Sequence, residues 1–235
     1  MLYYNPSVFH PTGGGPPKYV PLEDGPLLKS DLLNRYFAMR HGNSEANQMG
    51  VISSDPNVAT GTHGLSALGV EQVMESVEKF RGMREGATTR VFCSDFKRAS
   101  MTGDMLAAGI GTIATREVRL RERYFGSLDG GGDTRYGEVW ERDGEDDAHE
   151  WEGVESVKSV RERTAELVME IEDDDVKNGR EAGDVVLVAH GDVLQILMTV
   201  FKGIDGKDHR ELHPLETAEI RELDRGDTET INFAN

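Results

Sequence analysis

The stretch GDVVLVAHGD, Gly183 to Asp192, decides how the chain folds. Four apolar residues and an alanine, Val185 to Ala189, are bounded by glycines and predict a strand at the centre of a sheet. The continuation DVLQILMTVFKG predicts a helix with Asp192 at its start. Upstream, VESVKSVRERTAELVMEIEDDD carries the clearest helical stripe, with Val154, Val157, Val160, Thr164, Leu167, Val168 and Ile171 on one face. Its acidic run sits at the unfavourable end of a helix dipole and reads as exposed termination.

Nearer the start, NRYFAMRHG predicts a buried strand flowing into a loop, and TTRVFCSDF a second strand. Between them LGVEQVMESVEKFRGM predicts a helix presenting Val70, Val73, Met74, Val77 and Phe80. After them KRASMTGDMLAAG predicts one presenting Ala99, Met101, Met105, Leu106 and Ala108. REVRLRE reads as a third extended piece, and TAEIREL as a closing edge strand. Strands alternating with helices predict an α/β fold, a three-layer α/β/α sandwich with a mostly parallel central sheet. The expected organisation is an irregular arm over 1–33 and a single catalytic domain over 34–235. Within it an acidic, glycine-rich insertion or lid over 126–152 lacks a readable period.

The composition narrows the partners. With 26 Lys and Arg against 43 Asp and Glu, the chain carries a net charge of −17. That charge repels nucleic acid and anionic membranes at long range, while a local cluster of arginines still admits a small anion. One cysteine, Cys93, excludes an internal disulfide, and no apolar run approaches the roughly 20 residues of a membrane helix. A cytoplasmic protein is the expectation.

In such sheets ligands bind beyond the carboxyl ends of the strands, where RHG, SDFKR, RE and AHG all fall. Arg40 and Arg98 offer planar donor forks suited to phosphate or carboxylate oxygens. His41 and His190 offer imidazoles able to act as nucleophile or base. Neither histidine belongs to an HExxH or CxxC pattern, and Pro214 follows the His209/His213 pair, so no metal is expected. The GGG triplets at 13–15 and 130–132 lack a following GK[ST] and are not nucleotide loops. Ser94 lacks a G-x-S-x-G elbow, and Cys93 reads as a core thiol. His41 is the better nucleophile, since a neutral imidazole can attack phosphorus while neighbouring cations suppress charge repulsion.

Taken together, RHGNSEAN, SDFKRASMT, LRERYFG and VVLVAHGD resemble the histidine phosphatase superfamily, the phosphoglycerate mutase-like group, over residues 34 to 223. The resemblance implies that His41 becomes phosphorylated and that Arg40, Arg98 and His190 hold the phosphoryl oxygens. It further implies that Asn47 adds a donor, that Asn43 and Ser44 line the same loop, and that Glu122 is the proton donor and later the base for water. THGLSALGVEQV is similar to the segment that opens the family's first long helix. No cofactor is expected.

The chain also departs from the mutases: Phe125 stands where tyrosine is usual, Asp192 replaces asparagine or glycine, and the excursion lacks paired basic residues for a second phosphate. These departures favour a phosphomonoesterase acting on a small phosphorylated substrate. A mutase, in which Arg123 would contact the distal phosphate, is one alternative. A catalytically weak, phospho-ligand-binding regulatory protein is the other.

Overall fold

Val185, Leu187 and Ala189 pack into one apolar cluster while Val186 and Val188 pack into another, so a single strand is coated on both faces. This is seen in a computed structural model that describes residues 27–29, 31–84, 86 and 88–224. The elements run β1 (Arg35–Arg40), α1 (Glu45–Met49), α2 (Pro56–Ala59), α3 (Ala67–Met83), β2 (Thr89–Cys93), α4 (Lys97–Ile110) and β3 (Ala114–Arg116). They continue α5 (Tyr136–Glu145), α6 (Val157–Asn178), β4 (Asp184–Ala189), α7 (Gly191–Lys202) and β5 (Ile220–Glu222).

Among the described residues five strands form one sheet in the order β3-β2-β4-β1-β5. β1, β2 and β3 run parallel with their neighbours and with β4, and only the edge strand β5 is antiparallel, pairing Ala38 with Arg221. The α6 and α7 side chains Val160, Leu167, Val168, Val193 and Leu197 cover one face with Tyr36, Ala38 and Leu187. Val73, Val77 and Phe80 of α3 and Leu106 of α4 cover the other with Met39, Val91 and Val188. The result is the α/β/α sandwich expected from the alternation.

Several local readings need correction. The stripe of α3 omits Met74, which is 59% exposed, and that of α4 uses Ala107 where Ala108 faces outward. The third strand lies earlier than REVRLRE. Glu117 N–H still donates to the carbonyl of Cys93, but its side chain then accepts from Arg119 N–H at 2.9 Å and turns Val118–Leu120 into one 3₁₀ turn.

α6 begins at Val157 after a Ser156 cap and runs to Asn178, and its acidic end is exposed only in part: Asp173 and Asp174 face outward while Glu172 and Asp175 are buried. Glu172 accepts from the Asn34 side chain at 2.8 Å, from Tyr36 Oη at 2.8 Å and from Leu33 N–H at 2.5 Å. Asp175 accepts from Asn34 at 2.7 Å and from Arg90 and Arg180. Charges unfavourable to the dipole are held by donors from the beginnings of β1 and β2, which pins those strands to the helix.

Of the arm, residues 1–26 and 30 lie outside the described residues. Leu28 beyond them is buried in the α6/α7 layer. The excursion at 126–152 contains α5, and its Leu128 and Val139 join Ile52, Phe125 and Val154 in a third, smaller core.

Candidate active site

β1 and β2 flank β4 on either side, so the carboxyl ends of three parallel neighbours open at one place. His41 N–H continues the β1 ladder onto Ala189 O at 3.0 Å, and Ser94 N–H continues that of β2 onto Val188 O at 3.0 Å. His190 itself caps α7, and Arg98 is the second residue of α4. Two helix starts, with their free N–H groups, thus point at the same crevice, a setting that favours an anion.

His41 is buried, its ring 5.2 Å from that of His190. Its Nδ1 lies 2.8 Å from its neighbour's carbonyl, Gly42 O, which can only accept, so Nδ1 carries the proton and Nε2 the lone pair. Arg98 Nε donates to that Nε2 at 3.1 Å, and Arg98 Nη2 donates to Ser53 O at 3.0 Å. Burial first, then the Arg98 and Arg40 charges, hold His41 well below the usual imidazole range, so the ring is neutral.

The turn after His41 is compact because two glycines meet there. A Cβ on Gly42 would lie 2.6 Å from Gly69 O, and one on Gly69 would lie 1.9 Å from Asn43 O. Thr102 Oγ1 accepts Gly42 N–H at 3.2 Å and donates to Arg98 O at 2.8 Å, tying the turn to α4.

His190 has no exposed surface, and its Nε2 lies 3.0 Å from Ser94 Oγ. That hydroxyl already accepts from Phe96 N–H at 3.2 Å, so its own hydrogen is free for Nε2. In that tautomer the Nδ1–H is turned toward Glu122, 3.8 Å from Oε2. Glu122 Oε2 is also 3.8 Å from Arg98 Nη2, while Oε1 accepts Arg123 N–H at 3.0 Å. Burial dominates at this carboxyl, with Asp192 adding to it and Arg98 opposing, and the group is pushed up to about 7.

Arg40 donates through Nη1 to Leu215 O at 2.9 Å and lies against Gly191. Its Nε, Arg98 Nη1 and His190 Nδ1 are buried without a hydrogen-bond partner in the protein. Three orphaned donors around one lone-pair nitrogen make a site for a polyoxygen anion. Among the described residues no group of three or more His, Cys, Asp or Glu is arranged to hold a metal.

His41, Arg40, Arg98, His190 and Glu122 are therefore brought together. Asn43, Ser44 and Asn47 stand in the following turn, with side chains engaged locally. Asn43 Oδ1 accepts from Ser66 Oγ at 2.7 Å, and Ser44 and Asn47 form a reciprocal cap at the start of α1, with Asn47 exposed.

Arg123 is not a distal-phosphate contact. It is fully buried, clasped by both oxygens of Asp143 at 2.7 Å and by Asp192 at 3.3 Å. Arg163 is buried against Glu155, with Nε–Oε1 at 2.9 Å. Cys93 is core, its thiol pushed up to about 11 by burial. Sequence reading missed Ser94 and Thr102 as supports for the histidines. The only available signal for Ser94 was its place beside Asp95 at a strand end.

This sandwich, with two histidines and two arginines at the strand ends, defines a phosphohistidine-type phosphatase scaffold. The chain matches the Histidine phosphatase superfamily (branch 1) over residues 36–232 and belongs to that family. Its chemistry is that of a metal-independent phosphomonoesterase working through a phosphohistidine on a small phosphorylated substrate.

Among solved structures it is similar to "Mycobacterial hydrolase 1", with 23% identity, a TM-score of 0.67, and coverage of 80% of this chain and 88% of that one. A mycobacterial glucosyl-3-phosphoglycerate phosphatase gives 22%, 0.66, 80% and 89%. A phosphoserine phosphatase mutant from Entamoeba histolytica, in complex with phosphoserine, gives 18%, 0.64, 80% and 89%. No curated protein matches the chain.

Proposed function

We propose that His41 is the nucleophile, that Arg40, Arg98 and His190 hold the phosphoryl oxygens with Asn43, Ser44 and Asn47 in the bordering turn, and that Glu122 is the acid and base. The observation that carries this reading is that Arg40 Nε, Arg98 Nη1 and His190 Nδ1 are buried without a protein partner on the residues that surround His41: Arg98 Nε bonds its Nε2, the His190 ring lies 5.2 Å away, and the Arg40 charge acts on it.

The phosphate of the substrate takes over the Arg98 donors. His41 Nε2 attacks phosphorus, the P–O bond to the leaving group breaks, and the neutral Glu122 carboxyl gives its proton to the departing oxygen. The Glu122 carboxylate then draws a proton from water as that water attacks the phosphohistidine. Phosphate leaves, and His41 and Glu122 return to their starting states. A carboxyl near 7 suits both roles at neutral pH.

Hydrolysis is favoured over mutase transfer because Arg123 is neutralised by Asp143 and Asp192 and offers no charge to a second phosphate. On this reading 34–235 act as one catalytic domain in the cytoplasm, with 126–152 as its selective wall. The test is a hydrolysis screen in chelator, including glucosyl-3-phosphoglycerate and phosphoserine, the compounds named for the similar structures. Turnover that survives chelator and disappears in His41→Ala supports the reading. Activity restored only by a divalent cation overturns it.

A further inference from the structure

Asp192 occupies the first turn of α7, two residues after His190, and is 8% exposed. Its Oδ1 accepts Trp140 Nε1–H from α5 at 3.0 Å, and its Oδ2 accepts from Arg123 Nη1 at 3.3 Å. Arg123 is in turn the chain neighbour of Glu122 and donates its N–H to the Glu122 carboxyl. One carboxylate thus joins the helix that begins at His190, the wall contributed by the excursion, and the residue next to the candidate acid.

We propose that Asp192 is a positioning residue for Glu122, fixing a negative charge and the α5 wall beside the acid carboxyl. The proposal rests on Glu122 being the proton donor. The charges around Arg123 support it. Asp143 and Asp192 share the Arg123 guanidinium in a buried space, with His149 2.8 Å from Asp143 and Arg210 reaching Asp192 at 3.8 Å, and the Asp192 charge bears on Glu122.

Other groups bear on the same place. Arg98 of α4, Arg40 at the end of β1 and His190 at the end of β4 face Glu122, as does Tyr136 of α5. Behind Asp192 stand His209 Nε2 at 3.9 Å and Arg210 Nη1 at 3.8 Å, the latter guanidinium lying 3.7 Å over the Trp140 ring. The arginines favour the carboxylate form of Glu122, and the Asp192 charge opposes them. Without that opposition the acid would lose its proton at lower pH.

Asp192→Asn keeps the shape and one acceptor oxygen while removing the charge. The midpoint of Glu122 is read directly by carboxyl carbon NMR, assigned by its disappearance in Glu122→Gln, and the pH profile of kcat/KM on an alkyl phosphate is read alongside. The expected result is a midpoint lowered by about half a unit or more, with the alkaline limb moving by the same amount.

Arg210→Met provides the opposite sign from a half-exposed position, keeping an apolar stem on Trp140. Removing a cation that partly offsets Asp192 should raise the Glu122 midpoint, and this variant decides the matter if Asp192→Asn does not fold. Midpoints unmoved in the folded variants overturn the proposal. If Glu122→Gln keeps full turnover on the alkyl phosphate, the donor assignment fails, while the NMR midpoints still report whether Asp192 acts on Glu122.

Discussion

Arg123 and Asp143, twenty positions apart, form a two-pronged ion pair at 2.7 Å with neither side chain exposed. The pair locks α5 against the strand ends and removes the one cation that a mutase reading would place on a second phosphate. Incubation with 3-phosphoglycerate and a bisphosphoglycerate primer should therefore give mainly inorganic phosphate and little 2-phosphoglycerate. Isomerisation outrunning phosphate release would reverse the choice between the two activities.

Glu122→Gln preserves the shape of the acid but cannot deliver a proton. Turnover on an alkyl phosphate should fall by roughly 10² to 10⁴, and by less on an activated aryl phosphate whose oxygen leaves unaided. In the native protein the alkyl rate should decline as pH rises through about 7, where the carboxyl loses its proton, with a flatter profile on the aryl ester. Equal small losses on both esters would move the acid role elsewhere.

The same carboxyl links pH to stability. The fold favours its neutral form, raising it from the usual 4.5 to about 7. The contribution is present in full below 4.5 and is lost as pH rises through about 7. Glu122→Gln escapes that loss, so its Tm relative to the native protein should be higher at pH 8 than at pH 5. A difference in Tm that does not change between these pH values would show that Glu122 is not held in its neutral form.

Arg163→Ala leaves Glu155 buried without its guanidinium partner. Urea unfolding should show a loss of about 3–5 kcal/mol, against about 1 kcal/mol or less for a surface pair. Gly69→Ala tests the turn instead: its Cβ would drive the Asn43 carbonyl away and displace His41, so kcat should fall even where the protein remains folded.

How much of this is written locally can be seen residue by residue. The run Val185–Ala189 announces a central strand because a strand coated on both faces needs apolar residues without alternation, and RHG and AHG mark where two such strands end. The burial of Glu172 and Asp175 could not be read from the acidic run, since their donors Asn34, Tyr36 and Arg90 come from 85 or more positions away. Arg123 had the same ambiguity: an arginine beside a catalytic acid looks available until Asp143 and Asp192 arrive from other elements. Met74 keeps the helical period yet is exposed, because the face α3 buries is set by its contact with the sheet and α4.

The central claim is that the lone-pair nitrogen of His41 takes the phosphoryl group. The most direct measurement is rapid mixing with a ³²P-labelled phosphomonoester, alkaline quenching and peptide mapping. Acid-labile, alkali-stable label on the peptide containing His41, absent in His41→Ala, is the expected result. Label on Ser94 or Cys93, or full turnover by a folded His41→Ala protein, would contradict it.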